Sequence, residues 1–184
     1  MNLAREAART RSPLGPRPDG LAPSPAPHTD AELAALLGLL TAPRARIRTI
    51  VAGHGRDAAS TAAATAFADA WRERGGVVLA VVDWPEDAAS WLRPARRFTA
   101  VAPDAWVVAA GPRGWARMGR RLRHSTDWDP ARTFGFASTG TVTAVELAGA
   151  TTLQGMRGAT SDGGTWEIGG ELITFHPPAR VGRG

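Results

Sequence analysis

The stretch of residues 103–149, which reads PDAWVVAAGPRGWARMGRRLRHSTDWDPARTFGFASTGTVTAVELAG, decides the fold. Its first part, residues 105–110, is a short apolar run that is stopped by Gly111 and Pro112. A run of this kind, rich in valine and tryptophan and bounded by turn residues, is typical of a strand that is buried on both faces. We therefore expect a central strand of a sheet at residues 105–110.

Helix and strand patterns alternate through the rest of the stretch. Pro112 suits the first turn of a helix, where its missing N–H breaks no hydrogen bond. Apolar residues then recur on one face at three- and four-residue spacing. They are Trp115, Met118 and Leu122. Residues 125–130 interrupt this helix, residues 133–137 read as a second strand, and a short helix ends near Gly149. This order is the repeat unit of a parallel sheet covered by helices.

The residues before this stretch predict two further strands and three further helices. Thr29 or Asp30 caps a leucine-faced helix that runs to residue 40, and it either covers the sheet or meets a partner. Gly53-His54-Gly55 reads as a tight turn. Around it the pattern predicts a strand over 47–52, a helix over 56–73, a strand over 77–82, a loop over 83–87 and a helix over 88–98 that is interrupted at Pro94.

After Gly149 the pattern changes to short strands. Residues 153–160 are predicted as an edge strand, and residues 165–175 as a hairpin that turns at Gly169 and Gly170. The side chains expected to pack there are Trp166, Ile168, Leu172 and Phe175. Trp84 and Trp128 fall in predicted loops and are candidates for exposed rings.

These elements together predict an α/β fold. It has a single doubly wound, mainly parallel sheet of about five strands flanked by helices, with a C-terminal β-hairpin. Residues 1–29 are rich in proline and arginine and are expected to be a disordered leader. Residues 30–176 form one α/β lobe, and residues 177–184 are a tail.

Composition narrows the functional classes. The chain contains no cysteine, and its four histidines share no ligand spacing, so neither a disulfide nor a metal site is expected. All of its basic side chains are arginine, but no zinc-finger spacing or basic aromatic platform accompanies them, and nucleic acid is not an expected partner. The chain has no apolar run of about 20 residues that could span a membrane. No secretory signal segment is recognisable, so the chain as given is expected in the cytoplasm.

The candidate site is the edge of the sheet at which the parallel strands end, because ligands of doubly wound sheets gather there. The candidate ligand-binding residues are His54, Gly55, Arg56, Gly111, Pro112, Arg113, Ala137, Ser138 and Thr139. His54 either donates to an anionic ligand or makes a local hydrogen bond in its turn. Asp83, Glu86 and Asp87 either hold a cation or cap a helix. No nucleophile elbow is present, so neither catalysis nor a cofactor is expected.

Several segments in fixed order resemble a known family. They are GHGRDAASTAAATAFADAWRERGG at 53–76, PDAWVVAAGPRGWARMGRRLR at 103–123, WDPARTFGFAST at 128–139 and GMRGAT at 155–160. From about residue 47 to residue 160 the chain resembles the second lobe of type I periplasmic solute-binding proteins of ABC transporters, the leucine/isoleucine/valine-binding kind. The resemblance covers one of the two lobes that enclose a ligand in that family.

The resemblance implies roles for three places on the sheet edge. His54 lies where the family has an aromatic side chain that contacts the ligand, and Gly111 with Pro112 lies where it has a second contact. Ala137 and Ser138 lie where an acidic residue holds the ammonium group of an amino acid. Ala137 departs from that pattern because it carries no charge. The resemblance also implies an extracytoplasmic location and an ABC permease as partner.

Two hypotheses follow. In the first, the lobe binds a small polar solute, amino acid-like in the family, at the strand ends without catalysis. In the second, the lobe is an interaction or regulatory module that has lost its ligand. It would then dimerise through the helix of residues 30–40 and the exposed sheet edge, or pair with a separately encoded lobe.

Overall fold

The computed structural model describes residues 24–149, 151–170 and 172–178. Its helices are α1 (Asp30–Thr41), α2 (Ala58–Glu73), α3 (Leu92–Phe98), α4 (Pro112–Ser125) and α5 (Val142–Ala148). Its strands are β1 (Thr49–Gly55), β2 (Val77–Trp84), β3 (Ala105–Ala109), β4 (Thr133–Gly135), β5 (Arg157–Ala159), β6 (Thr165–Gly169) and β7 (Leu172–His176). Two short 3-10 helices span Pro130–Arg132 and Ala137–Thr139.

The seven strands form one sheet in the order β2-β1-β3-β4-β5-β6-β7. The first five are parallel neighbours, and β6 and β7 are antiparallel. The predicted α/β class, its mainly parallel sheet and its C-terminal hairpin are confirmed. The hairpin continues the same sheet, so the described part of the chain contains seven strands in one layer.

Both faces of this sheet are covered by helices. On one face α3, α4 and α5 pack on Val51, Trp106 and Val108, and on the other α1 and α2 pack on Ile50 and Val107. Every residue of β3 is buried, as expected of a central strand with helices on both sides. Gly111 and Pro112 open α4 as predicted, with Gly111 as N-cap.

Helix α1 is part of the lobe. Its leucine stripe packs with α2 and the sheet, and Leu36, Leu37 and Leu40 are all almost fully buried. Thr29 is its N-cap, one of the two positions predicted, and it forms a capping box with Glu32. Of the two sequence alternatives, coverage of the sheet is the one observed, so the leucine face is not free for the proposed dimer.

Strands β1 and β2 are longer than predicted. Gly53-His54-Gly55 is not a turn but the end of β1, because β1 is paired on both sides, with β2 and with β3, through His54. Likewise Asp83 and Trp84 belong to β2 and not to a loop. Of the two possibilities for Trp84, an exposed ring or a core position, the core position is observed, since its ring is fully buried between the sheet and helices α3 and α4. Pairing with two neighbours outweighs the low strand preference of glycine.

Other local features also differ from the sequence expectations. The strand predicted over residues 133–137 ends at Gly135, and Ala137–Thr139 is a 3-10 helix. Residues 151–155 form turns, and β5 is an interior strand between β4 and β6 and not an edge strand. Trp128 is buried against Trp115. Pro94 does not interrupt a helix, because α3 begins only at Leu92 and proline is tolerated in a first turn.

The ends of the lobe also differ from expectation. Leu172 and Phe175 are exposed on β7, and only Trp166 and Ile168 of the four hairpin residues are buried. Residues 24–29, which the composition assigns to the disordered leader, lie against the lobe. His28 makes an edge contact with Phe136 at 5.8 Å between ring centroids. Residues 1–23 and most of the predicted tail lie outside the described residues.

Candidate functional site

The carboxyl ends of the parallel strands meet at one edge of the sheet, which we call the rim. The register aligns His54 with Asp83 on one side and with Ala109 on the other, and Val108 with Gly135. The residues that follow these strands therefore share the rim. This brings together the three groups of candidate residues, at 54–56, 111–113 and 137–139.

Three helices begin at the rim, and each start is already occupied by a carboxylate of the chain. Asp57 accepts a hydrogen bond from the N–H of Ser60 in α2 at 2.8 Å. Gly111 offers α4 no capping side chain, and Glu86 instead accepts from the N–H of Gly114 at 2.8 Å. These carboxylates satisfy N–H groups that otherwise have no partner in the helix.

The third carboxylate comes from a distant part of the chain. Glu32 of α1 accepts from the N–H of Ala137 at 2.6 Å, across 105 residues of sequence. Ala137 carries no acidic side chain of its own, but its backbone N–H binds the carboxylate of Glu32. Glu32 is only 3% exposed.

Glu86 is a capping group and not a free acid. Burial is the main reason why its pKa is raised, and the charges of Asp57 and Asp87 act in the same direction. The N–H of Gly114 and the guanidinium of Arg117 oppose this shift of the pKa. Asp87 itself pairs with Arg117. Of the three acidic residues only Glu86 caps a helix, and that helix is α4 and not α3, the next one along the chain. Asp83 and Asp87 pair instead with Arg56 and Arg117.

His54 and Arg56 make local contacts on the rim. His54 is half-buried, and its Nδ1 lies 2.7 Å from the carbonyl oxygen of Gly55, to which the Nδ1–H tautomer donates. Arg56 pairs with Asp83 at 2.5 Å, and its hydrogen bond is the largest reason why the pKa of Asp83 is lowered. Because both side chains of this pair are exposed, water screens it and its contribution to stability is small.

A cleft of about 180 Å³ opens on the rim. It lies between the start of α2, the 3-10 helix at 137–139 and the segment of residues 25–28. Its apolar walls are Ala63, Ala109 and Phe136, and Glu32 and Ser60 supply buried polar atoms. Ser60 is 3% exposed, and its Oγ has no hydrogen-bond partner.

The cleft contains only part of the predicted site. Ala137 and Ser138 line it. Thr139 does not, because it is buried and its hydroxyl donates to the carbonyl oxygen of Phe136 at 2.7 Å. The remaining candidates lie on the rim but do not line the cleft, and they are His54, Gly55, Arg56, Gly111, Pro112 and Arg113.

Four polar residues of the cleft were missed from the sequence, namely His28, Glu32, Ser60 and Ser161. Glu32 was visible only as the fourth residue of a capping box, and Ser60 only as a polar residue in the first turn of α2. Neither local role indicates that the side chain reaches a strand end. Only the position of α1 beside the sheet brings Glu32 to Ala137.

Among residues 24–149, 151–170 and 172–178, no group of three or more potential ligands is close enough to hold a metal ion. In the same residues, no helix is long and apolar enough to cross a membrane.

Several solved structures that superpose on this chain are described as substrate-binding or ligand-binding proteins. A substrate-binding periplasmic protein from Ralstonia solanacearum superposes with a TM-score of 0.61 at 16% identity, over 73% of this chain and 37% of that one. The branched-chain amino acid transporter substrate-binding protein of Streptococcus pneumoniae, in complex with isoleucine, gives 0.58 at 12% identity, over 71% and 36%. An extracellular ligand-binding receptor from Rhodopseudomonas palustris gives 0.57 at 16% identity, over 72% and 35%.

These comparisons bear on the fold. The chain spans about a third of the length of the structures that it matches, which is one lobe. The resemblance seen in the sequence is confirmed at that level. No protein-family model and no curated protein matches the sequence.

Proposed function

We propose that this lobe binds a small polar solute in the rim cleft, as a solute-binding-protein-like domain without catalysis. The observation that carries the proposal is a cleft at the strand ends in which two buried polar residues, Glu32 and Ser60, lie beside apolar walls. Small-molecule sites have this character, with apolar walls and a few convergent polar groups. Their usual place in a parallel sheet is the carboxyl edge of the strands.

One lobe supplies only part of an enclosing surface. The cleft opens beside Ser138 and Ser161, which line it on the 3-10 helix and on the turn before β6. A ligand there contacts the lobe on one side, so the expected affinity is weak unless a second surface closes over it. In the proposal that surface is a separately encoded lobe or a second copy of the chain.

The proposal includes a place and a partner that come from the matched proteins. Two of them are described as periplasmic and extracellular, and a third as part of a branched-chain amino acid transporter. The cytoplasmic location expected from the sequence has no support in these comparisons. We infer an extracytoplasmic location and an ABC permease as partner, both as parts of this proposal.

A thermal-shift screen of amino acids and other small metabolites tests solute binding. A compound at about 100 times its Kd stabilises a folded protein by about 2.7 kcal/mol, which raises the Tm by about 5–10 °C for a chain of this size. The Ser138→Phe variant should abolish the shift, because a ring at this half-exposed position fills the cleft. The His54→Ala variant is the control, since His54 is on the rim but outside the cleft, and it should keep the shift.

Two results would contradict the proposal. The first is a screen in which no compound raises the Tm of the wild type. The second is a shift that survives in Ser138→Phe but disappears in His54→Ala, which would move the binding site to the other end of the rim.

The second hypothesis, that the lobe is an interaction module, named two surfaces for association: the helix of residues 30–40 and the exposed sheet edge. The sheet edge is the one that is still available. Strand β2 is an edge strand, and Leu79 and Val81 are 41% and 45% exposed on it. An edge strand presents unpaired backbone groups that can pair with another chain. The leucine face of α1 no longer serves this hypothesis, because it is buried within the lobe.

A further inference from the structure

The three helices on one face of the sheet have a strongly basic outer surface. Helix α4 contacts both α3 and α5, so the three lie side by side. Helices α3 and α4 contain no acidic residue. Their arginines are Arg93, Arg96 and Arg97 of α3 and Arg113, Arg117, Arg120, Arg121 and Arg123 of α4. We call the outer surface of α3, α4 and α5 the basic face.

The helices on the other face of the sheet have the opposite charge. Helices α1 and α2 carry Asp30, Glu32, Asp69 and Glu73, and their single arginine, Arg72, pairs with Asp69. The helices of one layer are thus net negative, and those of the other are net positive. A separation of charge of this kind orients a protein towards an anionic partner and speeds their encounter.

A groove of about 500 Å³ runs along α3 on the basic face. It is lined by Ser90, Leu92, Arg93, Arg96, Arg97 and Ala100. All three arginines are exposed, and among the described residues no carboxylate pairs with any of them. Their guanidinium groups are therefore available to an anion from outside the lobe. Guanidinium binds phosphate through two parallel hydrogen bonds, which a point charge cannot do.

Exposed aliphatic side chains lie beside these arginines. Val142 and Leu147 of α5 are 62% and 43% exposed, and Val101, which follows α3, is 41% exposed. Phe98 and Trp115 are fully buried, so α3 and α4, which are described over their whole length, offer no exposed phenyl or indole ring for a nucleic acid base. Arginines next to aliphatic groups instead suit a membrane surface, where phosphates lie close to acyl chains.

We propose that the basic face binds the surface of a membrane that contains anionic lipids. A lipid phosphate lies in the groove along α3, and Val142 and Leu147 contact the upper part of the acyl chains. Because the contact depends on charge, it is reversible and is weakened by salt. This inference goes beyond the proposed function, since it concerns the outer side of α3, α4 and α5 and leaves the rim cleft beside α1 and α2 open to a solute.

Cosedimentation of the full chain with two kinds of vesicle tests the inference. One kind contains phosphatidylcholine alone, and the other contains equal parts of phosphatidylcholine and phosphatidylglycerol. We expect binding to the mixed vesicles to be at least tenfold tighter, and high salt should remove the difference. Each arginine near an anionic surface strengthens binding about fivefold, so Arg93→Gln/Arg96→Gln/Arg97→Gln should weaken it on the order of 100-fold.

The matched control is Arg44→Gln/Arg72→Gln/Arg74→Gln, which removes the same charge from exposed positions on α2 and after α1. It should bind the mixed vesicles within about twofold of the wild type, because these side chains lie across the lobe from the basic face, beyond the Debye length of about 8–10 Å. Circular dichroism checks that both triple variants are folded.

Two further variants test the same face independently of α3. Arg113→Gln/Arg120→Gln/Arg123→Gln removes three exposed arginines of α4 and should also weaken binding on the order of 100-fold. Leu147→Ser leaves the net charge unchanged and should weaken binding to the mixed vesicles several-fold, because an aliphatic contact with the acyl chains is lost.

Three results would overturn the inference. The first is equal binding, or no binding, to the two kinds of vesicle. The second is a control variant that loses as much binding as the α3 variant, which would reduce the effect to net charge. The third is a DNA duplex that binds more tightly than the mixed vesicles and is released by the α3 variant, which would assign the basic face to nucleic acid. Each leaves solute binding standing, because the thermal-shift screen measures it separately.

Discussion

Gly53 is the residue at which β1 comes closest to the aromatic side chains on the α3 and α4 face of the sheet. A Cβ atom at this position would lie 2.5 Å from Cε2 of Phe98 and 2.6 Å from Cζ3 of Trp84. Both rings are fully buried and packed against one another at 6.0 Å, so neither has space to move away. The glycine that looked like part of a turn is thus required for packing.

We predict that Gly53→Ala destabilises the lobe by about 1–3 kcal/mol, because it overpacks a filled core. Urea unfolding followed by tryptophan fluorescence measures this change. The matched control is Gly38→Ala in α1, where a Cβ would meet no atom within 4 Å. It should stabilise the lobe by about 0.5–1 kcal/mol, as alanine does in an exposed helix. Equal effects of the two substitutions would contradict the close packing at Gly53.

Glu32 has two roles at the residue scale, and the sequence indicates only one of them. As part of the capping box it accepts from Thr29, which a local pattern predicts. As the partner of Ala137 it joins α1 to the rim, and no local pattern encodes a contact over 105 residues. The cleft lies at the edge of the sheet where the sequence placed the candidate residues, but Ser138 is the one polar side chain of the cleft that was among them.

Strands and helices were predicted best where one sequence pattern dominates. The apolar run of β3 and the spaced apolar residues of α4 identified both elements, including the helix start at Pro112. Predicted boundaries were wrong where a neighbouring strand sets the end of an element. At the end of β1, pairing with β2 continues through Gly53 and Gly55, and pairing with β3 continues to His54. Strand β5 was placed at an edge because the hairpin was expected to lie apart from the sheet.

Asp104 joins the starts of β1 and β3 on the side of the sheet opposite the rim. Its Oδ2 accepts from the N–H groups of Thr49 at 2.8 Å and Arg48 at 2.9 Å, and from the hydroxyl of Thr49. The N–H of Thr49 is the largest cause of its lowered pKa, followed by that of Arg48. This carboxylate is more stable in the folded chain than in the unfolded one.

The sign of the pH dependence follows from the lowered pKa. The stabilisation by Asp104 is fully present above the unfolded value of about 3.9 and is lost as the pH falls through the lower folded value. We predict that Asp104→Asn lowers the free energy of unfolding by about 1 kcal/mol at neutral pH, a modest value because the site is exposed. The difference from the wild type should shrink below about pH 4.

Denaturant unfolding at a series of pH values checks this prediction. Asp127→Asn is the control, since Asp127 is an exposed aspartate that lies outside the strands, between α4 and the 3-10 helix of residues 130–132. It should change the stability little at any pH. A difference between wild type and Asp104→Asn that stays constant from pH 7 to pH 2 would show that charge has no part in the contact.

At the scale of the whole molecule, the lobe has an apolar core on each face of one sheet, and α1 contributes to the core on the α2 face. Leu36 of α1 is fully buried beside the core of α2 and the sheet. This arrangement distinguishes the two functional hypotheses, because a helix that completes the core cannot also offer its leucine face to a partner. The edge strands β2 and β7 both keep exposed apolar side chains, and β2 is the edge tested here for association.

We predict that Leu36→Ala lowers the free energy of unfolding by about 2–4 kcal/mol and leaves the oligomeric state unchanged, because the lost contacts are internal to one chain. Urea unfolding and size-exclusion chromatography with light scattering measure the two properties. Leu79→Ser on β2 is the matched control, since Leu79 is partly exposed and its replacement should cost much less stability. If the wild type is a dimer that Leu79→Ser dissociates, association occurs through the sheet edge. A dimer that only Leu36→Ala dissociates would instead contradict the internal role of α1, because it would require the leucine stripe to face a second chain.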